Sequence, residues 1–354
     1  MSEIRRVMLR RSRNAVITIF GIMVLNFVII RGMGDPALLL TPKDPKADQD
    51  LVEANKIRFG LDKPVFTCVK SIYPVTNISF DCAGDPFDNQ FFIYLRNTVT
   101  GDWGTSYVTR EPVISIVARD MGWTLVLVGT STIFTIMLGM VIGAFSAQRR
   151  GRAFDVVSTG FGLFFYGMPI FWLGLVLQLL FSRQQFGLNW WPVFPHSQEY
   201  DHDLGTFAWQ ADFVLSALQH LFLPALTLAL GTFAGISLVM RNSLVDVMTE
   251  DYVVTARAKG LAERMILRRH VLPNGLPPMV TLIALDMAFI FGGAYQVEVV
   301  FSYEGIGFRT INSIFNLDFP LLQFIIVIGG VAVVLANFFA DLILVKIDPR
   351  IKIA

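Results

Sequence analysis

Residues 241–275 read RNSLVDVMTEDYVVTARAKGLAERMILRRHVLPNG, a basic and helix-prone stretch set between two long apolar runs. Leu244, Met248 and Tyr252 recur at fourfold spacing, so the helix of the preceding run is expected to continue through them on one face. Ala256 and Ala258 are small enough for close approach. Arg257 and Lys259 suit a helix C-terminus, and Gly260 is a natural terminator. A second short helix is expected over Leu261–His270, stopping before Pro273. The stretch therefore reads as a helix–glycine–helix knob. Charge alone would favour a solvated loop that only fixes topology; the alanines and the glycine break favour a docking surface.

Working outward, the flanking runs Val214–Met240 and Leu276–Phe301 are each long enough to cross a bilayer. Four further runs qualify: Ala15–Ile30, Met121–Ala147, Val156–Phe181 and Leu321–Ile347. The chain of 354 residues is 54% hydrophobic and 16% charged, far below the roughly one quarter charged of a soluble domain. The expected fold is an all-α membrane protein with about six transmembrane helices. Its net charge of +1 suggests no nucleic-acid partner. Arginines cluster before the first run (Arg5, Arg6, Arg10, Arg11, Arg13), after the second (Arg149, Arg150, Arg152) and after the fourth. Lys346, Arg350 and Lys352 follow the last. All these segments fall on one face, so both termini are expected in the cytoplasm. The first run lacks a small-residue cleavage site and reads as an uncleaved span. The expected organisation is a cytoplasmic N-terminus and first span over 1–30, an external loop subdomain over 31–120, and a transmembrane core over 121–354 carrying the loop 241–275.

Polar features inside the spans are few. Pro169 and Pro224 are expected to interrupt the third and fourth spans, either as hinges lining a pathway or as fixed packing kinks. Asp286 lies mid-span and is a candidate for a pathway wall, because a carboxylate there needs a cavity or a partner. Glu298 lies near the outer end, where interfacial water would suffice to solvate it. Cys68 and Cys82 both fall in the external segment; an oxidising compartment would allow a disulfide, and two free thiols remain the alternative. No catalytic constellation is visible: HExxH, a Walker A loop and a nucleophile elbow are all missing, and the four histidines are scattered. No metal site and no enzymatic activity are expected. Any ATP-derived energy would come from another polypeptide.

Asp251-Tyr252-Val253, Ala256-Arg257-Ala258-Lys259-Gly260 and Arg269-His270-Val271-Leu272-Pro273-Asn274 resemble the EAA-type coupling loop of binding-protein-dependent ABC importer permeases. The variant is similar to that of the peptide and nickel branch, the dipeptide and oligopeptide permease B subunits. Gly60-Leu61-Asp62-Lys63-Pro64 and Gly101-Asp102-Trp103-Gly104-Thr105-Ser106 resemble that branch's external loop. Pro169-Ile170-Phe171-Trp172, His220-Leu221-Phe222-Leu223-Pro224-Ala225, Glu298-Val299-Val300-Phe301, Asp318-Phe319-Pro320 and Asp348-Pro349-Arg350 resemble its spans and C-terminal part. Two departures stand out: an insertion over roughly 67–90 that holds both cysteines, and Glu304 where the family often has proline.

The resemblance implies a type I importer permease fold in the plasma membrane of a bacterium or archaeon. It implies a second homologous permease subunit, two cytoplasmic ATPase subunits that carry ATP and Mg, an external solute-binding protein, and no cofactor on this chain. Asp251, Tyr252, Ala256, Arg257, Ala258, Lys259, Gly260 and Pro273 would be the ATPase-coupling residues, and peptides the solute, with nickel and glutathione open. The alternative class is a self-contained channel or an ion-coupled carrier, which would work without ATPase partners.

Overall fold

The computed structural model describes residues 3–33, 62–66, 69–71, 79–80, 87–182, 194–195, 197–200, 211–279, 282–283 and 294–347. Among them, four helices are long and apolar enough to cross a membrane: α1 (Glu3–Met33), α3 (Val113–Gln148), α6 (Ala211–Met248) and α12 (Phe319–Ile347). A fifth span is possible if α4 (Ala153–Tyr166) and α5 (Ile170–Phe181) form one broken crossing. Shorter helices are α2 (Gln90–Thr100), α7 (Asp251–Ala258), α8 (Glu263–Ile266), α9 (Leu272–Gly275), α10 (Tyr295–Val300) and α11 (Ile306–Phe315). Of the expected span Leu276–Phe301, residues 280–281 and 284–293 lie outside the described residues, and Asp286, Cys68 and Cys82 lie outside them as well.

The two prolines behave differently. Pro169 sits at the break between α4 and α5, which meet at 103°. Its ψ of 128° is extended, so the chain turns there instead of kinking. Pro224, expected to interrupt the fourth span, does not: α6 runs 38 residues straight through it. In an apolar surround every broken ladder bond costs several kcal/mol, so losing one donor is tolerated and losing a turn is not. At Pro169 the preceding Gly167 and Met168 add a helix-poor approach, and the break wins.

The chain divides into two compact units. One comprises residues 120–308 and 339–354. Its central packing is α6 against α3, α4 and α5. Lipid offers helices no hydrophobic reward for associating, so close approach of backbones must supply it. Gly139 and Gly143 provide that approach one turn apart on α3. A Cβ at Gly143 would lie 2.5 Å from the Ser237 carbonyl oxygen and 2.9 Å from the Met240 Cβ, and one at Gly139 would lie 2.7 Å from Ile236. One turn further on Ala147 is buried in the same seam, and one turn earlier the Thr135 and Thr232 hydroxyls bond at 2.9 Å. The spacing Gly139-x-x-x-Gly143-x-x-x-Ala147 is a small-residue motif readable from sequence.

Within this unit Glu298 is fully buried, which overturns interfacial solvation as its explanation. Its Oε1 accepts from Thr124 Oγ1 at 2.9 Å and its Oε2 from the Phe308 backbone N–H at 2.9 Å. Thr124 Oγ1 accepts from the Ile306 N–H at 2.7 Å. Carboxylate and hydroxyl together satisfy the open donors at the start of α11, a favourable place for negative charge.

The other unit comprises residues 1–119 and 309–338. Here α1 packs against α2 through Phe27, whose ring meets Phe66, Phe91 and Tyr94 at 5.3–5.4 Å. Asn26, 2% exposed, donates to the Gln323 carbonyl on α12 at 3.1 Å. Helix α2 is capped by Asn89, which accepts from the Phe92 N–H, and ends on left-handed Gly101. A short antiparallel hairpin, β1 (Val69–Ser71) with β2 (Ser79–Phe80), falls in the inserted segment and is a small exception to the all-α expectation.

The glycine seam gives a sharp test. Gly143→Leu should overpack α3 against α6 and cost about 1–3 kcal/mol, read as a lower Tm of the detergent-purified protein. Gly129→Leu, with nothing within 4 Å of an added Cβ, should leave Tm within a degree or two of wild type. Equal behaviour of the two variants would show that the seam does not hold the unit together.

Candidate functional site

The knob begins where α6 stops. Thr249 Oγ1 takes the Asp246 carbonyl at 2.7 Å, and the Thr249 and Glu250 N–H groups reach back only three residues, to Asp246 and Val247. A side chain that competes for a backbone carbonyl ends the α ladder. Glu250 then turns the chain (ψ 144°) and α7 starts at Asp251, an acid in the first turn of a new helix. Leu244, Met248 and Tyr252 therefore do not share one continuous helix, contrary to the expectation from their spacing.

Along α7 burial divides the predicted residues. Val253 is fully buried and Ala256 is 5% exposed, both turned into the core. Asp251, Tyr252, Arg257, Ala258 and Lys259 are exposed. Tyr252, Thr255 and Lys259 follow i, i+3, i+7 spacing and form one outward stripe. Ala256 presents no docking surface; its small side chain lets α7 seat on what lies beneath it.

The helix ends as its glycine foretells. The Gly260 N–H bonds the Arg257 carbonyl at 2.9 Å and the Leu261 N–H bonds the Ala256 carbonyl at 3.3 Å, the two bonds of a Schellman cap. Gly260 has φ +75°, and a Cβ there would meet nothing within 4 Å. Substitution is opposed by backbone strain, not by space. Arg257 then braces the turn, its Nε donating to Glu263 Oε1 at 2.8 Å.

The second helix does not stop before Pro273. Helix α8 passes into a π turn over Leu267–Val271 and on through α9, with the Leu272 N–H bonding the Leu267 carbonyl five residues back. Proline cannot donate to an α ladder, and a widened turn removes that demand. Asn274 Nδ2 satisfies the His270 carbonyl at 2.7 Å.

One apolar core holds these pieces to the span. Leu244, Val245 and Met240 of α6 pack with Val253 and Ala256 of α7, Ile266 of α8, and Val271 and Met279 beyond. Ser243 Oγ donates to the Gly275 carbonyl at 2.8 Å, tying the far end of the knob back to α6.

Beside this core, Arg241 meets Asp155 in a bidentate pair, Nε to Oδ1 at 2.6 Å and Nη2 to Oδ2 at 2.7 Å. Asp155, 4% exposed, also accepts from the Gly151 N–H at 2.8 Å. The two residues are 86 apart in sequence, and no local pattern announces them. Of the pathway candidates, Pro169 stands at the α4–α5 break and Pro224 is buried within α6.

A double-mutant cycle on Asp155→Asn and Arg241→Gln should give a coupling of about 1–3 kcal/mol in unfolding free energy. A coupling near zero would mean that the pair does not anchor α4 to α6.

The chain matches the family model described as binding-protein-dependent transport system inner membrane component over residues 139–353, more than half its length. It is 31% identical over 349 residues to the oligopeptide transport system permease protein AppB of Bacillus subtilis (strain 168), covering 97% of this chain and 98% of that one. It is also 31% identical over 345 residues to the glutathione transport system permease protein GsiC of Escherichia coli (strain K12), with the same coverage. Among solved structures, a chain of the inward-facing MetNI methionine ABC transporter superposes with a TM-score of 0.51 at 17% identity, covering 67% of this chain and 99% of that one, a likeness of fold. Apolar helices, a knob built on a span and 31% identity to two permeases over nearly the whole chain agree: the chain belongs to the family of binding-protein-dependent transport system inner membrane components and is an ABC importer permease, not an enzyme.

Proposed function

We propose that this permease carries di- or oligopeptides delivered by an external binding protein, and that residues 251–275 are its contact with a partner ATPase. The observation that supports this reading is the shared core of knob and span: Val253, Ala256, Ile266 and Val271 pack on Leu244 and Met240 as one body. A docking element that must transmit a push needs such a core, and a solvated loop does not. On this reading Tyr252, Arg257, Ala258 and Lys259 touch the ATPase groove, with Asp251 at the helix start beside them. Gly260 sets the turn, and Pro273 passes the movement toward the following span. Two cytoplasmic ATPase subunits supply ATP and Mg, and a second homologous permease completes the pathway. Pro169, Pro224 and Asp286 are its candidate lining. The inserted external segment is a landing pad for the binding protein.

Gly260→Val forces a branched side chain into a left-handed backbone at a cost of about 1–2 kcal/mol. It should abolish most uptake of a labelled dipeptide by whole cells while the purified complex still hydrolyses ATP. Gly260→Asn, which tolerates that backbone, should retain most uptake. Unchanged uptake by the valine variant would count against the coupling role. Uptake of nickel or glutathione but no peptide would refute the solute and leave the coupling intact.

A further inference from the structure

In the unit built from residues 1–119 and 309–338, a cavity of about 380 Å³ opens where the last turn of α1, the start of α12 and helix α2 come together. Its wall includes Arg31, Arg110, Asp102, Trp103, Tyr107 and Gln323. That size falls within the range of small-molecule sites. Both α1 and α12 pass as spans, so the cavity lies where their ends leave the apolar layer.

Two features suggest that it is built for a ligand. Arg110 has φ +64°, a left-handed conformation that costs a non-glycine residue energy and recurs at ligand clamps. Its turn is held from behind: Ser106 Oγ accepts from the Val108 and Thr109 N–H groups, Asp318 accepts from Ser106 Oγ and from the Tyr107 N–H, and the Arg110 N–H bonds the Ser106 carbonyl at 3.2 Å. The surroundings thus impose a strained backbone on an exposed arginine at the cavity wall. Arg31, also on the wall, lies 5.6 Å over the Phe27 ring. Burial pushes Tyr107 up to about 12, so its hydroxyl stays a neutral donor at ordinary pH.

We propose that this cavity holds the phosphate of an anionic phospholipid, with Arg31 and Arg110 as its ligands. Arg31 and Arg110 bring two guanidinium groups to the wall, the planar fork geometry that suits phosphate, with Asp102 also on the wall and Asp318 held behind it by Ser106 and the Tyr107 N–H. Trp103 and Tyr107 are of the type that settles at the headgroup level. Below Arg31 on α1, Leu25, Val28 and Ile29 are exposed apolar residues along which an acyl chain can lie. With the cytoplasmic termini expected from the arginine clusters, the lipid belongs to the outer leaflet.

The test uses the whole purified transporter, stripped of lipid with mild detergent and titrated with phosphatidylglycerol, phosphatidylcholine or inorganic phosphate while Tm and bound lipid are measured. Phosphatidylglycerol should raise Tm and be retained, and phosphatidylcholine should be retained about tenfold less. Arg31→Gln should lose that retention. Arg110→Gly is the decisive variant: it relieves the strained backbone, so Tm without lipid should equal or exceed wild type, while phosphatidylglycerol retention falls about tenfold. Wild-type retention in Arg110→Gly, equal retention of the two lipids, or protection by inorganic phosphate with no lipid bound would each overturn the assignment.

Discussion

A push on a protruding loop moves a transmembrane helix only if nothing between them yields. On the proposed coupling role, that constraint accounts for the core that the end of α6 and the knob share. Met240, Leu244 and Val245 are equally part of the span and of the platform on which α7 and α8 sit. The Schellman cap at Gly260, the Arg257–Glu263 brace and the bond from Ser243 to the Gly275 carbonyl close the remaining soft points. The Asp155–Arg241 pair extends the rigid region to α4, and the Gly139–Gly143 seam extends it to α3. Coupling by movement of a packed body needs this continuity, whereas a chain of separate contacts would dissipate the motion.

The bilayer decides where irregularity is allowed. Within α6 a proline is absorbed because the alternative, an open turn in hydrocarbon, is worse. Between α4 and α5 the same residue type sits at a 103° break. Irregular backbone at such depth is tolerated only where protein or a water-filled cavity surrounds it, so the two prolines are unequal candidates for a moving part. Buried Glu298 obeys the same economy: it exists because a helix start, α11, needs its open N–H groups satisfied.

Much of this was legible in the sequence because the bilayer writes long, unmistakable runs. Four of the expected spans fall within α1, α3, α6 and α12, although α1 begins at Glu3, not Ala15, α3 at Val113, not Met121, and α6 runs on from Met240 to Met248. Gly260 was readable as a stop because few residues tolerate its backbone. The errors came where local and distant forces compete. Fourfold spacing of Leu244, Met248 and Tyr252 was genuine, but Thr249 captured a carbonyl and ended the helix between them. Pro273 terminates only an α ladder, and a π turn before it circumvents that limit. Which face of α7 is buried could not be read from alanines alone, so Ala256 and Ala258 looked alike when one is inside and one outside. The Asp155–Arg241 pair was invisible because nothing near either residue specifies the other.

The central claim is that knob and span move as one body, and amide hydrogen exchange on the assembled transporter tests it directly. The backbone amides of Val253, Ala256, Ile266 and Val271 should exchange with the same protection as those of Met240 and Leu244, both without nucleotide and during ATP turnover. Knob amides that open about a hundredfold faster than the span, in either state, would show a loosely hinged loop and contradict the account.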